Sequence, residues 1–177
     1  MRNSKINTNF APVLRIKCWL APACKTLLVI NNSIHPTQTF QDCMTKKINC
    51  FIPFQSEEQV KQTVDNLKKQ DLVNEIFFLE GDMRSTANMK FIAERATTDY
   101  TLIYTKYTTL SFVLFGLERM VCLIEDAGAD MIYSDHFNKV GDAVTQAPVI
   151  DYQLGALRDD FDFGSVLLYR SSALKDA

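Results

Sequence analysis

Near the middle of the chain, Glu75-Ile-Phe-Phe-Leu79 is apolar at every interior position and stops abruptly at Glu80-Gly81-Asp82. A short run of this kind reads as a strand covered on both faces, the environment of a parallel strand flanked by helices. Such a strand restricts the fold more than any other feature, because helices must then be supplied on two sides of one sheet. The preceding residues supply one of each element. Ile48-Asn-Cys-Phe-Ile-Pro-Phe54 is rich in β formers and ends at a proline that cannot continue a ladder. Ser56 is then a candidate N-cap with Gln59 at the third helical position, and Val60, Val64 and Leu67 recur at helical spacing among Lys, Asp and Gln.

The alternation continues. Met89, Ile92, Ala93 and Ala96 form a second helical stripe, and Tyr100-Thr-Leu-Ile-Tyr104 is a third strand. Leu110, Leu114, Leu117, Val121 and Ile124 predict a long helix closed near Gly128, since glycine is favoured just past a helix end. Met131-Ile-Tyr133 and Val166-Leu-Leu-Tyr169 supply two further strands. The order predicts an α/β domain with an open, mainly parallel sheet and helices on both faces, a three-layer Rossmann-like arrangement.

Residues 1–43 do not share this pattern. They mix Asn, Thr, Pro and Cys with apolar bursts that Pro12, Lys17, Pro22 and Lys25 interrupt, so they fall short of the roughly 20 apolar residues of a spanning helix. Trp19–Ile30, preceded by Arg2, Lys5, Arg15 and Lys17, has some character of a secretory signal, but Lys25 divides it and no clean small-residue cleavage site follows. The expectation is a poorly ordered extension over 1–43 and a domain over 44–177, with Met44 a candidate native start. Five cysteines without a CxxC pair, and two distant histidines, suggest neither a disulfide framework nor a zinc cluster. Cys50 and Cys122 lie in apolar runs and read as buried thiols, so a reduced, cytoplasmic location is expected. A net charge of -2 provides no basic field for nucleic acid.

In open α/β sheets ligands bind outside the carboxyl ends of the strands, so the segments at 53–57, 80–85, 105–109 and 134–138 become the candidates for chemistry. Carboxylates at Glu80 and Asp82 could accept hydrogen bonds from a ligand, or could belong to a solvated turn. Lys106 could face phosphate as a point cation or sit in solvent. Asp135 and His136 close a strand at the same edge, although a lone histidine is more often structural. Asp160 and Asp162 have the spacing of a carboxylate pair for Mg²⁺ or Mn²⁺ in an extended segment, or of an acceptor-side loop or plain surface turn.

From about residue 47 onward the chain resembles the front portion of a family 2 glycosyltransferase of GT-A fold. The resemblance lies in Ile48–Phe54, Glu75–Asp82, Ala96–Tyr104, Ala129-Asp-Met-Ile-Tyr-Ser-Asp135 and Gly164-Ser-Val-Leu-Leu-Tyr-Arg170, in the family's order. It implies binding of a nucleoside-diphosphate sugar, with Glu80 and Asp82 holding uracil and ribose, and inverting transfer of the sugar to a hydroxyl of a glycan or other acceptor. The family places an Asp-x-Asp metal motif after its third strand; this chain has Thr105-Lys106-Tyr107 there, which points Lys106 at the diphosphate. There is little room between Asp82 and Thr86 for a further strand of the family. The family's catalytic base falls beyond Ala177, so no catalytic residue is assigned.

Overall fold

A computed structural model describes residues 16–19, 42–149 and 161–175. Eight strands occur among them: β1 (Ile16–Trp19), β2 (Ile48–Pro53), β3 (Val73–Leu79), β4 (Tyr100–Tyr104), β5 (Met131–Ser134), β6 (His136–Val140), β7 (Ala143–Ala147) and β8 (Val166–Arg170). The helices are α1 (Glu57–Leu67), α2 (Thr86–Arg95), α3 (Gly116–Ala127) and the short α4 (Ser171–Lys175). Six strands form one sheet in the order β1-β5-β8-β4-β2-β3, and β6 and β7 pair separately as a hairpin.

The sheet is mixed. β2 pairs in parallel with β3 and β4, with Phe51 opposite Phe77 on one side and Ile103 on the other. β8 lies antiparallel between β4 and β5, and β1 adds antiparallel to the outer side of β5. Four strands therefore share one direction and two oppose it, so "mainly parallel" describes the strand directions while antiparallel pairing outnumbers parallel pairing. The expectation for 1–43 falls mostly outside the described residues. Ile16–Trp19 form β1, and Cys43 is buried in the core.

Every residue of β2 and β4 is buried, and the two-residue alternation of a strand sends successive side chains to opposite layers. Ile48, Cys50, Ile52, Leu102 and Leu168 pack with Val60 and Leu67 of α1 and with Leu117, Met120, Val121 and Ile124 of α3. Phe51, Ile103 and Leu79 pack on the other face with Ile92 of α2, joined by Phe77, Phe91 and Leu174. Helices thus cover both faces. Full burial of one such side chain contributes about 1.5–3 kcal/mol, and these two layers hold the sheet between them.

Local signals explain most boundaries. The Ser56 side chain caps α1 by accepting the Gln59 N–H at 3.3 Å, and Ser85 caps α2 through the Asn88 N–H at 3.2 Å. Gly128 ends α3 in the left-handed region (φ 58). The start of α3 differs from the sequence expectation: the helix begins at Gly116, and Leu114 is 80% exposed rather than part of the buried stripe. The physical reason lies in the preceding loop. Its Leu110 N–H donates to Thr63 Oγ1 at 3.0 Å and its carbonyl accepts from Asn66 Nδ2 at 2.9 Å. These bonds to α1 hold Leu110 in the core as a loop residue, and the chain then turns through Phe115 in a left-handed conformation (φ 57) before the helix can start.

Candidate functional site

β2, β3, β4 and β5 point the same way, so their carboxyl ends open on one edge, where β8 begins. The chain goes from β2 outward to β3 and then crosses to β4 on the other side of β2. At such a reversal the connections leave on opposite faces and a crevice remains outside the strand ends. Here that position falls between Gln55 and Gln59, after β2, and Thr105–Tyr107, after β4.

Three segments are laced together across it. Gln59 Oε1 accepts the Gln55 N–H at 3.3 Å, while Gln59 Nε2 donates to the Tyr107 carbonyl at 2.9 Å. The Tyr107 hydroxyl then reaches the turn after β3 and donates to the Gly81 carbonyl at 3.4 Å. That turn is itself shaped by Gly81 (φ 69) and by Asn88 of α2, whose Nδ2 donates to the carbonyls of Glu80 and Asp82, each at 2.9 Å. On the other side of the crevice Thr105 is tied to β8: its N–H donates to the Ser165 carbonyl at 2.9 Å and its hydroxyl to the Gly164 carbonyl at 3.2 Å. The Tyr104 hydroxyl meets Thr108 Oγ1 at 2.8 Å, and burial pushes its phenol above the usual range despite that bond.

The candidate residues divide into two groups. Glu80, Asp82 and Lys106 are exposed around the laced segments. Asp82 Oδ1 accepts the Arg84 N–H at 2.9 Å, whereas the Glu80 carboxylate and the Lys106 ammonium make no hydrogen bond or ion pair among the described residues. From β3 to β4 the edge spans two strand spacings, about 10 Å. Asp135 lies a further two spacings away, at the end of β5, and its Oδ1 accepts the Val149 N–H at 2.8 Å. That bond ties the chain leaving the hairpin back to the sheet, a structural task the sequence did not suggest. Asp162 is likewise engaged, its Oδ1 accepting the Gly164 N–H at 2.8 Å, and Asp160 lies outside the described residues. Among the described residues no group of three or more His, Cys, Asp and Glu is arranged to hold a metal ion.

No protein-family model, no curated protein and no solved structure matches the chain. Function is accordingly read from the geometry of this edge and from the sequence resemblance. Two features of the edge escaped sequence reasoning. The first is the bracing pair Gln59 and Tyr107, which are 48 residues apart and which no motif connects. The second is the β6–β7 hairpin, with His136 opposite Ala147 and Val140 opposite Ala143. One local signal was present: Gly141-Asp142 is a turn dipeptide, and Gly141 takes the left-handed conformation (φ 59). Among the described residues His136 Nδ1 is buried without a hydrogen-bond partner beside Gly164, where an added Cβ would stand 3.9 Å away. Among the described residues no helix is long and apolar enough to cross a membrane.

Proposed function

We propose that the chain is a family 2-like glycosyltransferase domain of GT-A type that lays a nucleoside-diphosphate sugar along the strand-end edge. What supports this function is the exposed acidic turn at Glu80–Asp82, braced through Tyr107 to the loop that carries Lys106. Carboxylates in a turn suit ribose hydroxyls or a uracil N–H, because they accept from donors approaching out of solvent. The Lys106 ammonium suits a diphosphate, a charge it can approach without any fixed geometry. Mg²⁺ or Mn²⁺ would supply further neutralisation of that charge, and Asp162 is the member of the expected Asp160–Asp162 pair that lies among the described residues.

In the reaction the acceptor hydroxyl attacks the anomeric carbon as the bond to the diphosphate breaks. The nucleoside diphosphate leaves with the electron pair, and the hydroxyl proton passes to a general base. None of the described residues is assigned that role. A second function, non-catalytic binding of the same nucleotide sugar, is favoured by Lys106 standing where paired carboxylates would hold a metal. Donor hydrolysis in the presence of Mn²⁺ separates the two: slow turnover supports transfer, and binding without turnover supports the alternative.

Calorimetric titration of the chain with UDP and with uridine tests the site itself. Replacing Glu80 by Gln together with Asp82 by Asn should weaken UDP binding by about 1–3 kcal/mol, the cost of losing hydrogen bonds to charged acceptors. Lys106→Ala should weaken UDP more than uridine. Equal affinity for UDP and uridine, or no binding of either, would remove the proposed function.

A further inference from the structure

β3 ends the sheet, and among the described residues no strand pairs with its outer side. The Leu79 carbonyl accepts the Phe54 N–H at 2.9 Å, so it points toward β2. By the alternation of a strand, the backbone groups of Ile76 and Phe78 then point outward, whereas the register with β2 shifts between Val73 and Glu75 and leaves Asn74 in a bulge. Exposed edges are commonly blunted by proline, lysine or a very short strand, yet this one is Val-Asn-Glu-Ile-Phe-Phe-Leu over seven residues. Beside it, on the α1 side of the sheet, runs an open groove of about 440 Å³ lined by Val64, Lys68, Val73, Asn74, Ile76 and Phe78. Phe78 is 44% exposed there, although its ring also meets Phe54.

We propose that this edge pairs with the same edge of a second copy of the chain, antiparallel about a two-fold axis through Ile76. An axis at that position places Ile76 opposite its own copy and Asn74 opposite the partner's Phe78. The outward backbone groups of Ile76 then meet as a hydrogen-bonded pair that exchanges both bonds, and those of Phe78 face the bulged residue of the second copy. Charge favours the same arrangement. The side of α1 that lies along the groove carries Glu57, Lys61, Val64 and Lys68, at helical spacing, acidic at the start and basic at the end. A two-fold axis turns the second α1 around, so Glu57 of each copy faces Lys68 of the other. An isologous contact of this kind is self-complementary and closes at two copies, which distinguishes it from open-ended edge aggregation.

Sedimentation velocity of the chain over a concentration series, with circular dichroism to check folding, tests the pairing. The expected result is a concentration-dependent dimer. Phe78→Lys sets a charge in the groove and should raise its Kd by about 30-fold or more, the loss typical of a central apolar anchor. Glu57→Lys alone and Lys68→Glu alone change only exposed helix residues and should each raise Kd by about threefold to tenfold. The double swap should return it to within about twofold of the unaltered chain. A monomer at all concentrations overturns the proposal, as does a dimer indifferent to Phe78→Lys or an additive loss in the double swap. Growth beyond a dimer also overturns it, because a two-fold contact has no free edge left to extend.

Discussion

Single residues in this protein act according to which partner reaches them first. Asn49 is a polar residue inside a fully buried strand, and it is tolerated because its side chain is saturated. Nδ2 donates to the Arg95 carbonyl at 2.8 Å and to Thr97 Oγ1 at 3.3 Å, while Oδ1 accepts from Asn74 Nδ2 at 2.9 Å. A buried polar group of this kind costs stability only when a partner is lost. Leu114 shows the opposite case, an apolar residue at the right spacing for a buried stripe that is left in solvent because α3 starts after it. The two leucines of that stripe should therefore separate in a denaturant titration. Leu117→Ala, at a fully buried position, should cost about 2–5 kcal/mol, and Leu114→Ala should stay within about 0.5 kcal/mol. Equal losses at both would mean that the helix extends to Leu114.

At the scale of elements, β8 is the piece that the strand-end edge depends on most. It enters between β4 and β5 through Gly164, whose φ of 86 an L side chain rarely adopts. A Cβ there would stand 3.0 Å from Val149 Cγ2 and 3.2 Å from the Ser134 carbonyl, so the loop fits against the end of β5 only with glycine. Gly164→Ala should lower stability by at least about 1–2 kcal/mol from backbone strain alone, measured as a fall in the denaturation midpoint. At its other end β8 joins α3 through charge: the Tyr100 hydroxyl donates to Glu125, and Arg170 stands 3.5 Å from the same carboxylate. Burial, and then the bond to Glu125, push the Tyr100 phenol above its ordinary value. The folded form thus holds that proton more tightly than the unfolded one, and the associated stability is complete below about pH 10 and lost as pH rises past it. Burial alone would raise Glu125, but the Tyr100 bond and Arg170 outweigh it and lower the carboxyl. Its contribution is present above the ordinary glutamate range and lost as pH falls below it. Thermal midpoints of Tyr100→Phe against pH should consequently fall less steeply than the unaltered protein above pH 10, with Tyr104 and Tyr169, both raised by burial, supplying the remaining slope. Parallel alkaline curves would show that Tyr100 carries none of the linkage.

For the molecule as a whole, the two borders of the sheet differ. β1 closes one border by pairing along β5, from Ile16 opposite Ser134 to Trp19 opposite Met131, while among the described residues no strand pairs with the outer side of β3. Removing residues 1–19 would leave β5 as a border strand and forfeit that ladder. The expected loss is about 1–2 kcal/mol in net hydrogen bonding. By calorimetry this is a fall in Tm of about 2–8 °C for a domain of this size. An unchanged midpoint would show that β1 adds nothing to the sheet's stability.

What the sequence determined by itself was the set of elements whose signals are local. Apart from Asn49, the interior positions of β2 and β4 carry residue types common in buried strands, Ser56 and Gln59 announce the start of α1, and Gly128 announces the end of α3. The acidic turn at Glu80–Asp82 was legible for the same reason, since it follows directly from the end of an apolar run. The antiparallel insertion of β8, the pairing of β1, the late start of α3 and the bracing of the edge by Gln59 and Tyr107 were decided only in the tertiary structure. Each depends on hydrogen bonds between segments far apart in the chain, and such bonds leave no periodicity in either partner. Read along the chain, Asp135 closes a strand at the ligand edge and Asp162 has the spacing of a metal pair with Asp160. In the folded molecule each instead accepts a backbone N–H, that of Val149 and that of Gly164, and these bonds hold the loops around β8 in place.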